Sequence, residues 1–180
     1  MTLYQNKYRV ESARLRDWDY RARGWYFVTI CAQRRACILG TIADGKVLLS
    51  PLGRVAEAEL QTLHTHYNNV QIDSFVVMPN HVHAIVMIDG AHCFSPNPDR
   101  FVPTVVRKAG PFPPQPGSLS AIIRSYKAGV TRRSHELGLK QLVWQSRFHD
   151  RLLRGDAVIN AVRDYIRNNP TNWSHDENHP

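Results

Sequence analysis

Cysteine is scarce in this 180-residue chain and follows no framework: Cys31, Cys37 and Cys93 are odd in number and contain no C-x-x-C pair. That excludes a zinc ribbon and an even disulfide scaffold, and it points to a reducing, cytoplasmic setting. Long apolar runs are also missing. No uninterrupted stretch is long enough to span a bilayer, and residues Met1 to Val10 lack the apolar core of a signal peptide, so a soluble protein with no membrane partner is expected. Acidic residues are few, 15 Asp and Glu against 23 Lys and Arg, which leaves a net charge of +8. Such a balance favours a polyanion, nucleic acid ahead of an anionic membrane surface, and hence a nucleoid-associated location. The length suits one domain spanning 1–180, and 43% hydrophobic residues are enough for a sizeable core.

What is present begins with a basic arm. Residues 1–23 carry Arg9, Arg14, Arg16, Arg21 and Arg23 interleaved with Tyr8, Trp18 and Tyr20. The arm either grips phosphates and stacks on bases or is a solvated leader whose aromatics pack on the domain. Trp25 to Ile30 reads as a strand. Cys37 to Thr41 and Lys46 to Leu49, around Ala43-Asp44-Gly45, read as a hairpin. Ser50-Pro51 is a helix start, and Leu52, Val55, Ala56, Leu60 and Leu63 recur at helical spacing to about His64. Val70 to Met78 and Val82 to Ile88 are strands. Residues 90–117 hold seven prolines, which excludes regular structure and suggests a mobile connection. Ser118 caps a basic amphipathic helix through Leu137, stopped by Gly138, whose Arg124, Lys127, Arg132 and Arg133 are candidate backbone contacts for nucleic acid. A short strand, Arg147 to Leu153, precedes a last helix, Ala157 to Asn168, capped by Asp156 and ended by Pro170. This order predicts a two-layer α+β sandwich on a mostly antiparallel sheet with one extra C-terminal helix.

The chemistry concentrates in two places. In Pro79-Asn80-His81-Val82-His83, a strand would point both imidazoles to one face, forming a clamp for a divalent metal. Alternatively they are two ordinary polar residues of a strand. His64 and His66 repeat the spacing on a helix, where residues two apart do not share a face, so exposed surface is expected there. In the last helix Tyr165 and Asn169 stand four apart and project together. Asn169 can supply a third ligand and Tyr165 an oxygen nucleophile, although a phenol of pKa ~10 needs a nearby cation to favour phenolate. Tyr126 is a rival nucleophile, but its i+4 neighbour is Val130, which offers no ligand. Trp144 and Arg147 either lie near the site or pack the last helix.

These residues together resemble a family. Pro79-Asn80-His81-Val82-His83, then Val143-Trp144-Gln145, then Tyr165-Ile166-x-x-Asn169-Pro170 are similar in order and spacing to the single-tyrosine HUH transposases, closest to the REP-associated tyrosine transposases. The opening run Tyr26-Phe27-Val28-Thr29-Ile30-Cys31 and Trp173 extend the likeness to nearly the whole chain outside the proline-rich segment. The resemblance implies a ferredoxin-like fold with the histidine pair on a central strand, and Mg²⁺ or Mn²⁺ held by His81, His83 and Asn169. It also implies that Tyr165 attacks single-stranded or hairpin DNA to give a 5′-phosphotyrosine intermediate, in its own chain or across a homodimer. Two other functions fit the same residues: a hairpin-binding module that does not cut, and a metal phosphodiesterase that uses activated water.

Overall fold

The computed structural model describes residues 18–89, 114–139 and 143–180, together with the backbone of a two-residue strand pair, β1 (Leu3–Tyr4) and β2 (Tyr8–Arg9). Arg14, Arg16, Cys93 and residues 90–113 of the proline-rich connection lie outside the described residues. The elements that follow are β3 (Gly24–Cys31), β4 (Gly40–Ala43), β5 (Lys46–Leu49), α1 (Pro51–Gln61), β6 (Val70–Val77), β7 (His81–Ile88), α2 (Leu119–Glu136), β8 (His149–Leu153) and α3 (Asp156–Asn168). Strands β6, β7, β3 and β8 form one sheet in that spatial order, antiparallel throughout. Helix α1 connects β3 to β6, with β7 between them, and α2 connects β7 to β8. This is the ferredoxin-like split β-α-β arrangement.

Strand parity divides the molecule. Even-numbered residues of β7 (Val82, Ala84, Val86, Ile88) and of β3 (Tyr26, Val28, Ile30) face α1 and α2 and form the main core with Leu52, Ala56, Leu60, Ile122, Tyr126 and Val130. Odd-numbered residues face the other way. Ile85 there joins Leu153 and the α3 residues Ile159 and Ile166, flanked by Trp25, Phe27 and Val76. Burying an aliphatic side chain contributes roughly 1.5–3 kcal/mol. Helix α3, with two fully buried anchors, is therefore held far less firmly than α1 or α2.

Local signals explain the element boundaries. Ser50 Oγ accepts from the Gly53 amide at 3.0 Å and donates to the Ile38 carbonyl at 2.7 Å, so it caps α1 and ties it to the preceding loop. Ser118 caps α2 through the Ala121 amide, and Gly138 leaves it with φ +79°. The start of α3 differs from the expectation. Gly155, with φ +82°, takes the cap position and Asp156 is the first helical residue, because the sharp turn out of β8 demands a left-handed backbone that glycine adopts freely. The expected continuation of α1 to His64 becomes a separate 3-10 turn, Leu63–His66. In β6 the register shifts between Ile72 and Ser74, leaving Asp73 as an unpaired bulge residue.

Candidate active site

β7 begins at His81, directly after Met78-Pro79-Asn80, and carries His81 and His83 on the odd-numbered face, both buried. Their rings lie 4.4 Å apart between centroids. Asn80 orients the first. Its amide NH₂ donates to the carbonyls of Arg35 (3.2 Å) and Asn178 (2.7 Å), so its Oδ1, 2.8 Å from His81 Nδ1, can only accept. His81 Nδ1 therefore carries the proton, and the Nε2 lone pair faces inward. Burial, then the neighbouring His83, pulls the His81 pKa down to about 3, so this ring is neutral at physiological pH. His83 is braced by Thr29 Oγ1, 3.0 Å from its Nδ1, and by Phe27, stacked on it at 5.1 Å. Its Nε2 likewise faces the site.

Helix α3 brings in the other two expected residues. Tyr165 Oη lies 3.3 Å from His83 Nε2 and 3.3 Å from Asp176 Oδ2, with its ring edge-on to Phe27 at 6.0 Å. Asn169, buried at the helix end, donates its NH₂ to Asp176 Oδ2 at 2.8 Å. That bond turns the amide so that Oδ1 looks away from Asp176. Among the described residues three buried side-chain polar atoms have no hydrogen-bond partner, and two of them are His81 Nε2 and Asn169 Oδ1. Buried polar atoms are rarely left unpartnered, so two such acceptors in one cluster fit an acceptor-bound cation. The donor set of two imidazoles and an amide oxygen fits a divalent metal.

Asp176 is the site residue that sequence reasoning missed. The chain turns after Pro170 through the 3-10 turn Trp173–His175 and returns, placing the Asp176 side chain at 1% exposure 4.0 Å from His83 Nε2. His81, His83 and Asp176 each offer a ligand atom within 4.8 Å of the others and form a group that could hold a metal. Burial alone raises the Asp176 carboxyl pKa. The adjoining His83, the Asn169 amide and the Asn178 backbone N–H (2.6 Å) outweigh it and hold the group well below the carboxylate range. Conversely, burial, then the Asp176 charge and hydrogen bond, pushes the Tyr165 phenol up to about 12. Trp173 closes the wall beside His81 at 5.9 Å.

The other candidates separate cleanly. Tyr126 is fully buried and donates to the Ala56 carbonyl at 3.1 Å; burial holds its phenol well above the usual range, so it is a core anchor. Trp144 is buried against Tyr126. His64 and His66 lie on the 3-10 turn away from the metal-competent group. Of the arginines expected to contact DNA, Arg21 pairs with Asp19, Arg23 with Asp89, Arg132 with Glu136 and Arg133 with the buried Glu59. Lys127 donates to the carbonyls of Gln145 (2.8 Å) and Arg147 (2.7 Å), which commits it to the loop before β8. Arg124 is exposed on α2. Within the described residues, then, most of the expected phosphate-contacting cations have an internal partner.

No family model matches the chain. An uncharacterised protein of Haemophilus influenzae is 31% identical over 169 residues, 92% of this chain and 91% of that one. The structure of a REP-associated tyrosine transposase bound to a REP hairpin superimposes with a TM-score of 0.56 at 20% identity, over 89% of this chain and 73% of the other.

Proposed function

We propose that this chain, which belongs to one family with the Haemophilus influenzae protein and has the fold of the tyrosine transposases, cleaves and rejoins single-stranded or hairpin DNA through Tyr165. The observation that carries the proposal is the Tyr165 hydroxyl, 3.3 Å from His83 Nε2 and 3.3 Å from Asp176 Oδ2, beside the His81, His83 and Asp176 ligand atoms that lie within 4.8 Å of one another. A nucleophile lies beside a cluster of neutral and anionic acceptors on a rigid strand and helix end.

In this reading His81, His83 and Asn169, with Asp176 as a further carboxylate, would hold Mg²⁺ or Mn²⁺. Such an ion, when bound, supplies the positive charge that lowers the phenol pKa and polarises a phosphoryl oxygen. The tyrosine Oη forms a bond to phosphorus, and the phenolic proton passes to solvent at the exposed side of Tyr165. The P–O3′ bond breaks, and the departing 3′ oxygen takes up a proton to become a free hydroxyl. The phosphate remains on Tyr165 as a 5′-phosphotyrosyl ester, so the bond energy is conserved and a 3′ hydroxyl can reverse the step. Asn80 and Thr29 orient the imidazoles, and the surrounding Phe27 and Trp173 limit water access to the ester.

The test is a denaturing gel of protein incubated with end-labelled hairpin DNA and Mn²⁺. A covalent adduct is expected from wild type and from Tyr126→Phe, and none from Tyr165→Phe. An adduct that survives in Tyr165→Phe refutes the assignment. Cleavage without any adduct points instead to activated water, and salt-sensitive binding without cleavage points to a hairpin-binding module.

A further inference from the structure

The histidine face of the sheet continues past the site to an edge strand. Antiparallel register places His83 opposite Thr29, and Thr29 opposite His149; one row along, Ile85 lies opposite Phe27, and Phe27 opposite Arg151. Directly opposed residues share a face. The Thr29–His83 and Phe27–His83 contacts confirm that this face is the one lined by the histidines. His149 and Arg151 therefore stand beside Thr29 and Phe27 on β8, two strand spacings or roughly 10 Å from the β7 positions that hold His83 and Ile85.

Three observations mark this strip as a surface for ligand. Helix α3 packs chiefly over β6 and β7 and meets β8 at Leu153, at the far end of that strand, while His149 and Arg151 are both exposed. Neither has a hydrogen-bond or ion-pair partner among the described residues, whereas most other cations singled out from the sequence are engaged internally. Tyr165 is 45% exposed and meets Phe27 of β3, so the nucleophile borders the open half of the sheet. A free guanidinium with a ring donor beside it on a flat strand edge matches successive phosphates of an extended strand: the guanidinium forks onto one phosphate and the imidazole N–H reaches the next.

We propose that His149 and Arg151 form a phosphate track that seats the single-stranded segment flanking the scissile phosphate. This assignment rests on the DNA-cleaving reading above and names where the substrate strand lies. The two residues position the strand; neither takes part in bond making.

The test measures binding apart from chemistry. Fluorescence anisotropy in EDTA, on full-length protein carrying Tyr165→Phe, compares a labelled hairpin bearing a single-stranded flank with the same hairpin trimmed flush. Arg151→Ala is expected to weaken binding of the flanked hairpin about tenfold and to make its log Kd against log salt slope shallower by about 1, with the flush hairpin unaffected. Arg151→Lys should restore the slope but not the full affinity, since it keeps the charge and loses the fork. His149→Ala should show a smaller loss, and Arg54→Ala, on α1, none. In Mn²⁺, with Tyr165 restored, Arg151→Ala should raise the DNA concentration for half-maximal adduct formation and leave the saturating rate within about twofold. If wild type forms the adduct but Arg151→Ala binds the flanked hairpin with unchanged affinity and slope, the track is refuted and the cleavage reading stands. If the flank-dependent loss is seen but wild type forms no adduct, the track stands and the cleavage reading falls.

Discussion

Asn80 allows the metal-competent geometry to be tested separately from the fold. Its three hydrogen bonds divide into two kinds: the NH₂ group ties down the Arg35 and Asn178 carbonyls, while Oδ1 holds His81 Nδ1–H and so presents Nε2 to the site. Asn80→Ala removes both. Leaving a buried polar group without its partner costs about 1–3 kcal/mol, and two carbonyls and a ring N–H are affected. With some relaxation toward water, a loss of about 2–4 kcal/mol of stability is expected. Losing the outer partner of a metal-ligating histidine typically costs 10–100-fold in affinity, so Mn²⁺ binding by calorimetry should weaken by that factor. Asn80→Asp separates the two effects. Its carboxylate still accepts from His81 Nδ1–H, so Mn²⁺ affinity should stay at or above wild type. It faces two carbonyls with no donor, so stability should fall nearly as far as in Asn80→Ala. The reasoning is refuted if Asn80→Asp loses Mn²⁺ affinity as severely as Asn80→Ala while remaining folded, because the acceptor at His81 would then be irrelevant to the lone pair opposite it.

Two further predictions concern how the helices are held. A Cβ at Gly129 of α2 would collide with the carboxylate of Glu59, which is buried and paired with Arg133 at 2.7 Å; Gly129→Ala should therefore lower stability by about 1–2 kcal/mol in thermal melts despite its helix-propensity gain of about 1 kcal/mol. In a Glu59→Ala background the same substitution should become neutral or stabilising. Arg163 forks onto Asp73 at 2.7 and 2.8 Å and lies over the Trp25 ring at 5.5 Å, so Asp73→Ala should let α3 drift and slow adduct formation roughly tenfold, with a change in melting temperature of only a few degrees. An unchanged adduct rate would show that Ile159 and Ile166 suffice to position Tyr165.

Much of this arrangement was legible in the sequence because it is periodic. A two-residue repeat on a strand and a four-residue repeat on a helix are local rules, and they paired His81 with His83 and Tyr165 with Asn169 without knowledge of the fold. The hairpin, the capped helices and the antiparallel sheet followed from similarly local signals, with errors confined to ends such as Gly155, where a left-handed turn displaced Asp156 from the cap. What escaped has no period. Asp176 reaches the site through an irregular return of the chain after Pro170, and no spacing rule joins it to His83, 93 positions earlier. Asp73 became the partner of Arg163 only because a bulge in β6 left it outside the pairing. The partners of the basic residues escaped for a different reason: charge is visible in a sequence but what it pairs with is not, so nothing in the pattern showed that Glu59 engages Arg133 and two carbonyls engage Lys127.

The same consideration explains why this cluster is suited to a cation and not simply polar. Two amides border it: Asn80 donates away from it to two carbonyls, and Asn169 donates within it to Asp176 Oδ2. The acceptors left without a donor are the His81 Nε2 lone pair and Asn169 Oδ1, and beside them stands a carboxylate kept ionised by its own hydrogen bonds. Tyr165 Oη, directed at His83 and Asp176, is the donor among them. Acceptors at such short range repel one another unless positive charge lies between them, so the arrangement that opposes phenolate formation without a cation would favour it with one. In the proposed mechanism that coupling would make metal binding and activation of Tyr165 parts of one electrostatic balance, built from residues that β7, α3 and the returning tail bring together.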